Sequence, residues 1–447
     1  MGTNETNYIE RYDAANDADK SQLVLRWMQD DPLPFFKELR EKRPILATPG
    51  FTVLAQFDDV IEVLDMPKIF TVALYRPEKG ESPYLMGHDD DALHTREKSI
   101  MQGMLNRDDL PRVRNMVEKI ANGILNTAHG RIEVVNDYCR MVPMMLVEQY
   151  FGLTGGNPKE LIECSYWTQY NMFHNQPFQM VSDAEHKRIL DRSNRAAEIL
   201  TKYITELVVH RLLAVKAEQA KNILFSIWYL FRKFINILLG KKQDPVTDDI
   251  LTRMLRTSYP EAMNFDIKRL AINANGLLIG AIETTSQAVA QTIQYLLENS
   301  KRLEEAIRAA KEPDTSVFDG IVWETLRFVP IAPYLFRQAG SEYTVAKGTK
   351  RATTIKAGTY VLPLTQSAMF DPKAFENPDE FIAGRNWYHY FHFGFGSHDC
   401  LGKYVGMVMI PEMVRQILAR PGIKAHGKID FKSGPFPEQY ALSWDAS

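Results

Sequence analysis

Apolar side chains recur at helical spacing along most of the chain between Leu93 and Met263, which predicts a succession of amphipathic helices. The same periodicity continues from near Phe265 to Asn299. At ~1.5 Å per residue, a helix over that stretch would be about 50 Å long, enough to cross a large domain. The pattern therefore predicts a mainly helical fold built around one long helix.

A smaller β part is predicted near the two ends of the chain. Residues 45–57 alternate as two short strands around a Pro-Gly turn, and two similar pieces lie within 343–364. Short helices are predicted at 31–44 and 58–66. Because no repeat or low-complexity linker divides the sequence, we expect a single domain over residues 1–447, mainly α with minor β.

One segment, residues 222–240, is almost as apolar as a membrane-spanning helix but carries Arg232 and Lys233 in its middle, which is costly in a bilayer. On a helix its polar residues fall on one stripe: Asn222, Ser226, Tyr229, Lys233, Asn236 and Gly240. The pattern predicts an amphipathic helical insertion. It is either buried on three sides in the core or docks peripherally on a membrane surface or a partner protein.

Composition narrows the function classes. Apolar residues make up 45% of the chain and charged residues 24%, as in ordinary soluble proteins. A net charge of −3 indicates no nucleic-acid partner. Three cysteines, Cys139, Cys164 and Cys400, cannot form a disulfide framework and suit a reducing compartment. With no signal-peptide pattern at the start, we expect a cytoplasmic protein, peripheral at a membrane if 222–240 docks there.

The most informative stretch is FHFGFGSHDCLGKYVG, residues 391–406. Its glycines let the backbone turn tightly and approach another group closely. Helical periodicity resumes after Cys400, and a helix N-terminus favours a thiolate. Such a thiolate is a soft ligand for a large, flat metal cofactor. The alternative is a buried structural cysteine.

This loop fits the pattern F-x-x-G-x-x-x-C-x-G and resembles the haem-binding loop of cytochrome P450 enzymes. The resemblance implies a P450-like fold with the long helix over the haem. It also implies that Cys400 is the axial thiolate ligand of heme b (iron protoporphyrin IX). His398 stands where many relatives have arginine and would hydrogen-bond a haem propionate. The loop residues implied to contact the cofactor are Phe393, Gly394, Gly396, His398, Cys400 and Gly402.

Two further motifs lie in the expected order. WETLRF contains E-x-x-R as Glu324 and Arg327, and by the resemblance this pair, with Arg385, is structural rather than catalytic. GAIETT, in the long helix, resembles the oxygen-activation segment of the family. There Ala281 would let the helix pass close over the haem. Glu283 would be the proton source, and the Thr284 hydroxyl would bond back to the Gly280 carbonyl and serve in oxygen activation.

Three basic residues complete the implied cofactor site. His94, in LHTREKSI, resembles a propionate-binding histidine, and Arg337, in YLFRQAG, resembles a propionate-binding arginine. Lys98 stands where the family usually has arginine. Because lysine is a point donor without the guanidinium fork, its contact with the propionate is less well defined.

The resemblance implies a monooxygenase that inserts one oxygen atom from O2 into a hydrophobic organic substrate, such as a lipid, terpenoid, steroid or polyketide. The stretches expected to line its pocket are 70–88, 165–181, 277–282, 331–336 and the C-terminal hairpin. The chain has no flavin or iron–sulfur motif of its own, so electrons would come from a ferredoxin or flavodoxin-type donor with its reductase. Candidate docking cations are Arg107, Arg112, Arg114, Lys119 and Lys403.

Two other functions remain open at the level of sequence. One is a haem-thiolate enzyme that does not use O2, either a peroxide-driven peroxygenase or an isomerase or lyase of lipid hydroperoxides. The other is a non-catalytic haem-binding protein. Dependence on an electron donor separates the first from a monooxygenase, and negligible O2 consumption with a working donor would favour the second.

Overall fold

The structure is a computed structural model that describes residues 7–76, 84–89, 91–236, 248–432 and 434–445, the side chains of 218–236 and 262 excepted. Helices dominate it, as the sequence predicts. In chain order the helices are α1 (Tyr8–Ala14), α2 (Asp17–Asp30), α3 (Pro32–Lys42), α4 (Phe57–Leu64), α5 (Ala92–Met104), α6 (Leu110–Thr127), α7 (Met141–Gln149), α8 (Pro158–His174), α9 (Asp183–Asn236), α10 (Ile250–Arg256), α11 (Ile267–Glu298), α12 (Ser300–Ala309), α13 (Ser316–Phe328), α14 (Thr365–Ala368) and α15 (Lys403–Leu418).

Short strands make up the β part. They are β1 (Ile45–Ala47), β2 (Thr52–Leu54), β3 (Phe70–Thr71), β4 (Arg131–Glu133), β5 (Arg337–Ala339), β6 (Tyr343–Val345), β7 (Thr353–Ile355), β8 (Tyr360–Pro363), β9 (Lys424–Ala425) and β10 (Ala441–Ser443). The largest sheet has the order β1-β2-β8-β5-β3, in which only β2 and β8 run parallel. The strands predicted at 45–57 and 343–364 are confirmed.

Strand β4 is a departure from the prediction, because it lies inside the stretch assigned to helices. Ile132 pairs with Leu442 of β10, which also pairs with β9. A three-residue strand has too little sequence to show alternation, and its partner lies some 300 residues away, so only the tertiary fold stabilises it. This sheet carries the C-terminal hairpin towards α11.

Helix α11 confirms the predicted long helix and forms the centre of the core. The Asp266 side chain caps its first turn by accepting a hydrogen bond from the Arg269 amide at 2.8 Å. Leu278, Ile282 and Val289 are fully buried, in one cluster with apolar side chains of α6, α7, α13 and α15. This packing fixes the position of α11 and, with it, the positions of its polar side chains.

The side chains of the predicted segment 222–240 lie outside the described part of the structure. The backbone of α9 continues to Asn236, so residues 222–236 extend that helix. The structure does not describe residues 237–240 or the side chains of 218–236. The amphipathic face of this segment therefore stays a prediction. No helix within the described residues is long and apolar enough to span a bilayer.

Candidate active site

The cysteine loop takes the strained backbone that its glycines allow. Gly394 and Gly396 have φ of 76° and 73°, in the left-handed region that favours glycine. A β-carbon on Gly396 would lie 2.9 Å from the Leu64 carbonyl oxygen, so the loop also packs too closely for a side chain there. The amide of Cys400 then donates to the Phe393 carbonyl at 2.8 Å, which closes the loop.

Gly402 has another role, since its φ of −81° suits any residue. It is the N-cap of α15, and its amide donates a hydrogen bond to the Cys400 thiol. Surrounding protein raises the pKa of that thiol, against the opposing effects of this amide and the nearby Lys98 and Lys403 ammonium groups. Cys400 is exposed as a residue, although protein surrounds its thiol. A cation bound at Sγ would therefore be needed to hold it fully as a thiolate.

Lys98 contacts the cysteine loop, a different partner from the one the resemblance implies. Its ammonium donates to the Ser397 carbonyl at 2.6 Å, the Asp399 carbonyl at 2.8 Å and the Asp399 carboxylate at 2.6 Å. An ammonium has three N–H donors, and these three bonds use all of them. Whether Lys98 binds a propionate stays a prediction, since its three donors face the cysteine loop in this structure.

His94, His398 and Arg337 come together as the resemblance implies. The two imidazole rings stack with centroids 4.3 Å apart. The Asp91 side chain caps α5 by accepting a hydrogen bond from the His94 amide at 2.8 Å. This cap fixes the backbone position of His94 in the first turn of the helix. Burial, with smaller contributions from the positive charges of His94, Arg337 and Lys98, lowers the pKa of His398 to about 3. Four basic groups thus lie near one point.

This cluster fits an anionic ligand group. Both ring nitrogens of His398 are buried and, in the described part of the chain, make no hydrogen bond. Arg337 is 4% exposed, and its partners among the described residues are the Phe336 carbonyl at 2.8 Å and Tyr75, neither of which is a carboxylate. Buried cations without a counter-charge are costly, so a carboxylate such as a haem propionate would relieve this arrangement.

The face of α11 across the site has the predicted back-bond. Thr284 Oγ1 donates to the Gly280 carbonyl at 3.0 Å, which confirms that prediction. Gly280 is exposed, and a β-carbon there would meet nothing within 4 Å. The Gly280 turn therefore borders open space, as expected of a helix that passes over a flat cofactor.

The preceding carbonyl of α11 is also engaged from outside the helix. Ser165 Oγ donates to the Ile279 carbonyl at 3.1 Å, and Gln169 Nε2 donates to the same oxygen. Both side chains come from one face of α8, four residues apart. Two successive carbonyls at this turn thus accept side-chain bonds while α11 stays continuous, an arrangement that can weaken the backbone hydrogen bonds of a helix.

Glu283 lies on this turn, 1% exposed, and pairs with Arg140. Arg140 Nη2 lies 3.0 Å from Glu283 Oε2, while Oε1 has no hydrogen-bond partner among the described residues. Burial raises the pKa of Glu283 to about 7, although Arg140 opposes the rise. Arg140 also lies 3.5 Å from the more exposed Glu438 of the C-terminal hairpin. The buried acid is therefore connected to the protein surface.

The sequence reasoning missed Arg140. The available signal was its place in YCRMVPMMLV, where it interrupts an apolar run. A charged side chain there has to find a buried partner. Sequence could not name Glu283 as that partner, because the two residues are 143 positions apart.

Glu324 and Arg327 form the predicted structural pair, and Arg385 joins them. All of these contacts fall within hydrogen-bond distance: Arg327 Nη2 to Glu324 Oε1 at 2.8 Å, Arg385 Nε to the same oxygen at 3.0 Å, and Tyr390 Oη to Glu324 Oε2 at 2.7 Å. Burial alone would raise the pKa of Glu324, but Arg327 and its other donors bring it below the ordinary value. Glu185 and Arg188 have the same E-x-x-R spacing in the sequence, but they form a pair at the surface.

On the other side of the site, Tyr84 packs on α11. Its ring lies against Gly276, where no β-carbon would fit. Burial raises the pKa of Tyr84, and a smaller contribution comes from the nearby Cys400. Tyr84 falls in the predicted pocket stretch 70–88, and no motif had singled it out.

The other predicted pocket stretches pack against one another. Tyr75 stacks on Phe336 with ring centroids 4.3 Å apart, and Phe173 and Phe178 contact the same ring. Phe178 and Phe336 are almost fully buried. Aromatic side chains from three of the predicted stretches thus lie in one cluster, and their place in a substrate pocket stays a prediction.

The proposed docking cations are less available than the sequence suggested. Arg114 is tied to Asp319 at 2.6 Å and to Glu412 at 3.2 Å. Arg107 lies over the Tyr404 ring at 3.8 Å. Two of the candidate arginines therefore already have partners within the protein: Arg114 pairs with carboxylates, and Arg107 contacts an aromatic ring. The cationic docking patch stays a prediction.

Comparisons with known proteins agree with this site. The family model for Cytochrome P450 matches residues 88–424, more than half of the chain. A steroid C26-monooxygenase of Mycolicibacterium smegmatis is 21% identical over 398 residues, which covers 88% of this chain and 84% of the relative. A pulcherriminic acid synthase of Bacillus subtilis is 23% identical over 392 residues, 84% of each chain.

A solved structure shares the fold. The haem domain of CYP116B5 from Acinetobacter radioresistens has a TM-score of 0.72 against this chain at 17% identity, and the match covers 93% of this chain and 95% of that one. At this sequence identity the similarity supports a shared fold and nothing more. The mainly α architecture with minor β, and the long helix through its centre, are therefore those of the matched structure.

Proposed function

The chain belongs to the cytochrome P450 family, and on that premise we propose that it is a monooxygenase that inserts one oxygen atom from O2 into a hydrophobic organic substrate. Members of the family bind haem through a cysteine thiolate. For this chain the proposed ligand is Cys400. Among the described residues no group of three or more His, Cys, Asp and Glu could hold a bare metal ion.

The proposed cofactor is heme b, held by named side chains. Cys400 would bind the iron, and His94, His398 and Arg337 would hold the propionates at the buried basic cluster. Gly280 and Ala281 leave room for the flat ring. When bound, the thiolate-ligated haem supplies O2 activation, since the thiolate pushes electron density towards the metal.

The observation that carries the oxygenase proposal is that the buried acid Glu283 and the hydroxyl of Thr284 are neighbours on one turn of α11. Glu283 is buried with a pKa of about 7, so near neutral pH it can both hold and release a proton. The Thr284 hydroxyl, fixed by Gly280, lies on the accessible side of the turn. Arg140 positions the Glu283 carboxylate, and Glu438 beside Arg140 leads to solvent. This arrangement can deliver protons to the site without opening it to bulk water.

The substrate proposal goes no further than a hydrophobic small molecule. The named relatives are associated with different products, a steroid oxidation and pulcherriminic acid, so they do not single out one class. Tyr84 and the aromatic cluster around Phe336 give the region an apolar lining with few polar groups. Such linings favour lipid, terpenoid, steroid or polyketide-like ligands.

Electrons are proposed to come from a ferredoxin or flavodoxin-type donor with its reductase. The decisive experiment supplies the purified haem protein with such a donor and measures donor-dependent O2 uptake and oxygenated product over a hydrophobic substrate panel. Product that depends on both donor and O2 supports the proposal. Product formed equally well from peroxide without a donor would instead identify a peroxygenase, and O2 uptake at background with every substrate would favour a non-catalytic haem protein.

Replacing Thr284 by alanine is expected to lower the yield of oxygenated product per O2 several-fold while O2 uptake persists. The variant loses the hydroxyl bonded to Gly280 but keeps Glu283, so the proton source would remain while the side chain that would orient the proton acceptor is gone. The missing product should be recovered as hydrogen peroxide. Thr285→Ala, on the buried side of the same turn, is the control and should keep the wild-type ratio.

Replacing Glu283 by glutamine is expected to lower coupled turnover by about 10²-fold at pH 6, the low end of the usual contribution of a proton-transfer group. The folded-state pKa of about 7 means that wild-type Glu283 is protonated below pH 7 and loses its proton above it. Turnover in the wild type should therefore fall as pH rises through about 7, while Glu283→Gln stays flat. A variant that retains the wild-type pH profile would exclude Glu283 as the proton donor.

A further inference from the structure

We propose that Lys98 is a positioning residue that clamps the cysteine loop onto α5 and so keeps Cys400 bound as the thiolate. The inference rests on the proposed function, since it concerns how the ligand of the proposed haem is held. It differs from the role implied by the resemblance, in which the basic residue at this place binds the cofactor itself. The carrying observation is the set of three acceptors around one ammonium.

The acceptors come from the residues directly before the ligand. Lys98 Nζ lies 2.6 Å from the Ser397 carbonyl, 2.8 Å from the Asp399 carbonyl and 2.6 Å from Asp399 Oδ1. Asp399 precedes Cys400 by one residue, so its carbonyl belongs to the peptide that leads into the ligand. The bonds therefore restrain the backbone on the N-terminal side of Cys400, while α15 restrains the other side.

Burial makes these bonds strong. The Lys98 side chain is only 9% exposed, and that of Asp399 is 28% exposed. Charge-assisted hydrogen bonds in such surroundings are shorter and stronger than neutral ones. Releasing them would leave a buried ammonium without acceptors, so the loop cannot move away from α5 without a large penalty.

The geometry also explains why lysine suits this position. Three acceptors converge on one point, which matches the compact ammonium with its three donors. A guanidinium is planar, and its donors spread over a fork that matches a carboxylate better than it matches converging carbonyls. His94 stands one turn earlier on α5, stacked on His398, so the same helix face reaches both the loop and the basic cluster.

The chain provides a matched control in Lys403. Its ammonium lies 3.8 Å from the other carboxylate oxygen of Asp399, and it is 26% exposed. Replacing Lys403 by methionine removes the same charge from the same carboxylate and leaves both loop carbonyls bonded to Lys98. A comparison of Lys98→Met with Lys403→Met therefore separates the clamp from a general effect of charge.

The test measures the reduced, carbon monoxide-bound haem protein over time at elevated temperature. Lys98→Met should lose the strongly red-shifted thiolate band about tenfold faster than wild type, in line with the loss of three charge-assisted bonds. Its reduction potential should be more negative, since a buried positive charge near the ligand is gone. Lys403→Met should decay at nearly the wild-type rate.

Lys98→Arg and Asp399→Asn complete the experiment. The clamp predicts that Lys98→Arg remains impaired and that Asp399→Asn, which removes the counter-charge of Lys98 but keeps both carbonyl acceptors, decays at a rate between those of wild type and Lys98→Met. If Lys98 held a propionate instead, Lys98→Arg would match or exceed wild type, and that result would overturn the inference. Equal decay of Lys98→Met and Lys403→Met would do the same. Wild-type protein without any thiolate band would instead remove the proposed function itself.

Discussion

Replacing Cys400 by serine is expected to abolish the strongly red-shifted Soret band of the dithionite-reduced protein under carbon monoxide, together with all donor-dependent product. A serine hydroxyl at the same position is a poor ligand that cannot supply the electron density of a thiolate. No second cysteine can take over, because Cys139 and Cys164 are buried elsewhere and burial raises the pKa of both thiols. The loss should be complete rather than graded.

The control for this variant is Cys164→Ser, which removes a thiol of the helical core and leaves the loop intact. It should keep the red-shifted band, with at most a modest loss of stability. Wild-type protein that binds haem but shows the band position of histidine-ligated haem would contradict the assignment of Cys400. The thiol would then be structural, and the monooxygenase proposal would lose its metal ligand.

Replacing Glu324 by alanine is expected to lower the free energy of unfolding by ~3–5 kcal/mol, the usual cost of removing one partner of a buried ion pair. Arg327 is fully buried, and the change would leave its charge without the carboxylate. Arg385 and the Tyr390 hydroxyl would lose an acceptor as well. Because these groups fasten α13 to the chain leading into the cysteine loop, haem occupancy should fall with stability.

Thermal unfolding of the haem-free protein and haem content after purification are the two measurements. Glu185→Ala is the matched control, since Glu185 pairs with Arg188 at the same spacing but on the surface. Exposed pairs contribute ~0–1 kcal/mol, so this variant should unfold close to wild type. If both variants lost a similar free energy of unfolding, the buried Glu324 pair would be no more stabilising than the surface Glu185 pair, and the prediction would be wrong.

Part of the geometry that was predicted correctly depends only on local backbone. Gly394 and Gly396 need positive φ, and Thr284 bonds to a carbonyl four residues earlier, so their geometry is encoded within a few positions. The partners of Arg140 and Lys98 were not predicted. Each is a long polar side chain that contacts residues more than a hundred positions away, and its reach allows several partners that sequence alone cannot rank.

By itself, the sequence determined the long central helix, the minor β part near both ends, the family to which the chain belongs and the order of its motifs, because periodicity and spacing act along the chain. Only the tertiary structure decided where the charges go: Arg140 to Glu283, Lys98 to the loop before Cys400, and Arg114 away from the surface to Asp319. The physical reason is that a buried charge has to be paired, and which partner is within reach is set by how the helices pack.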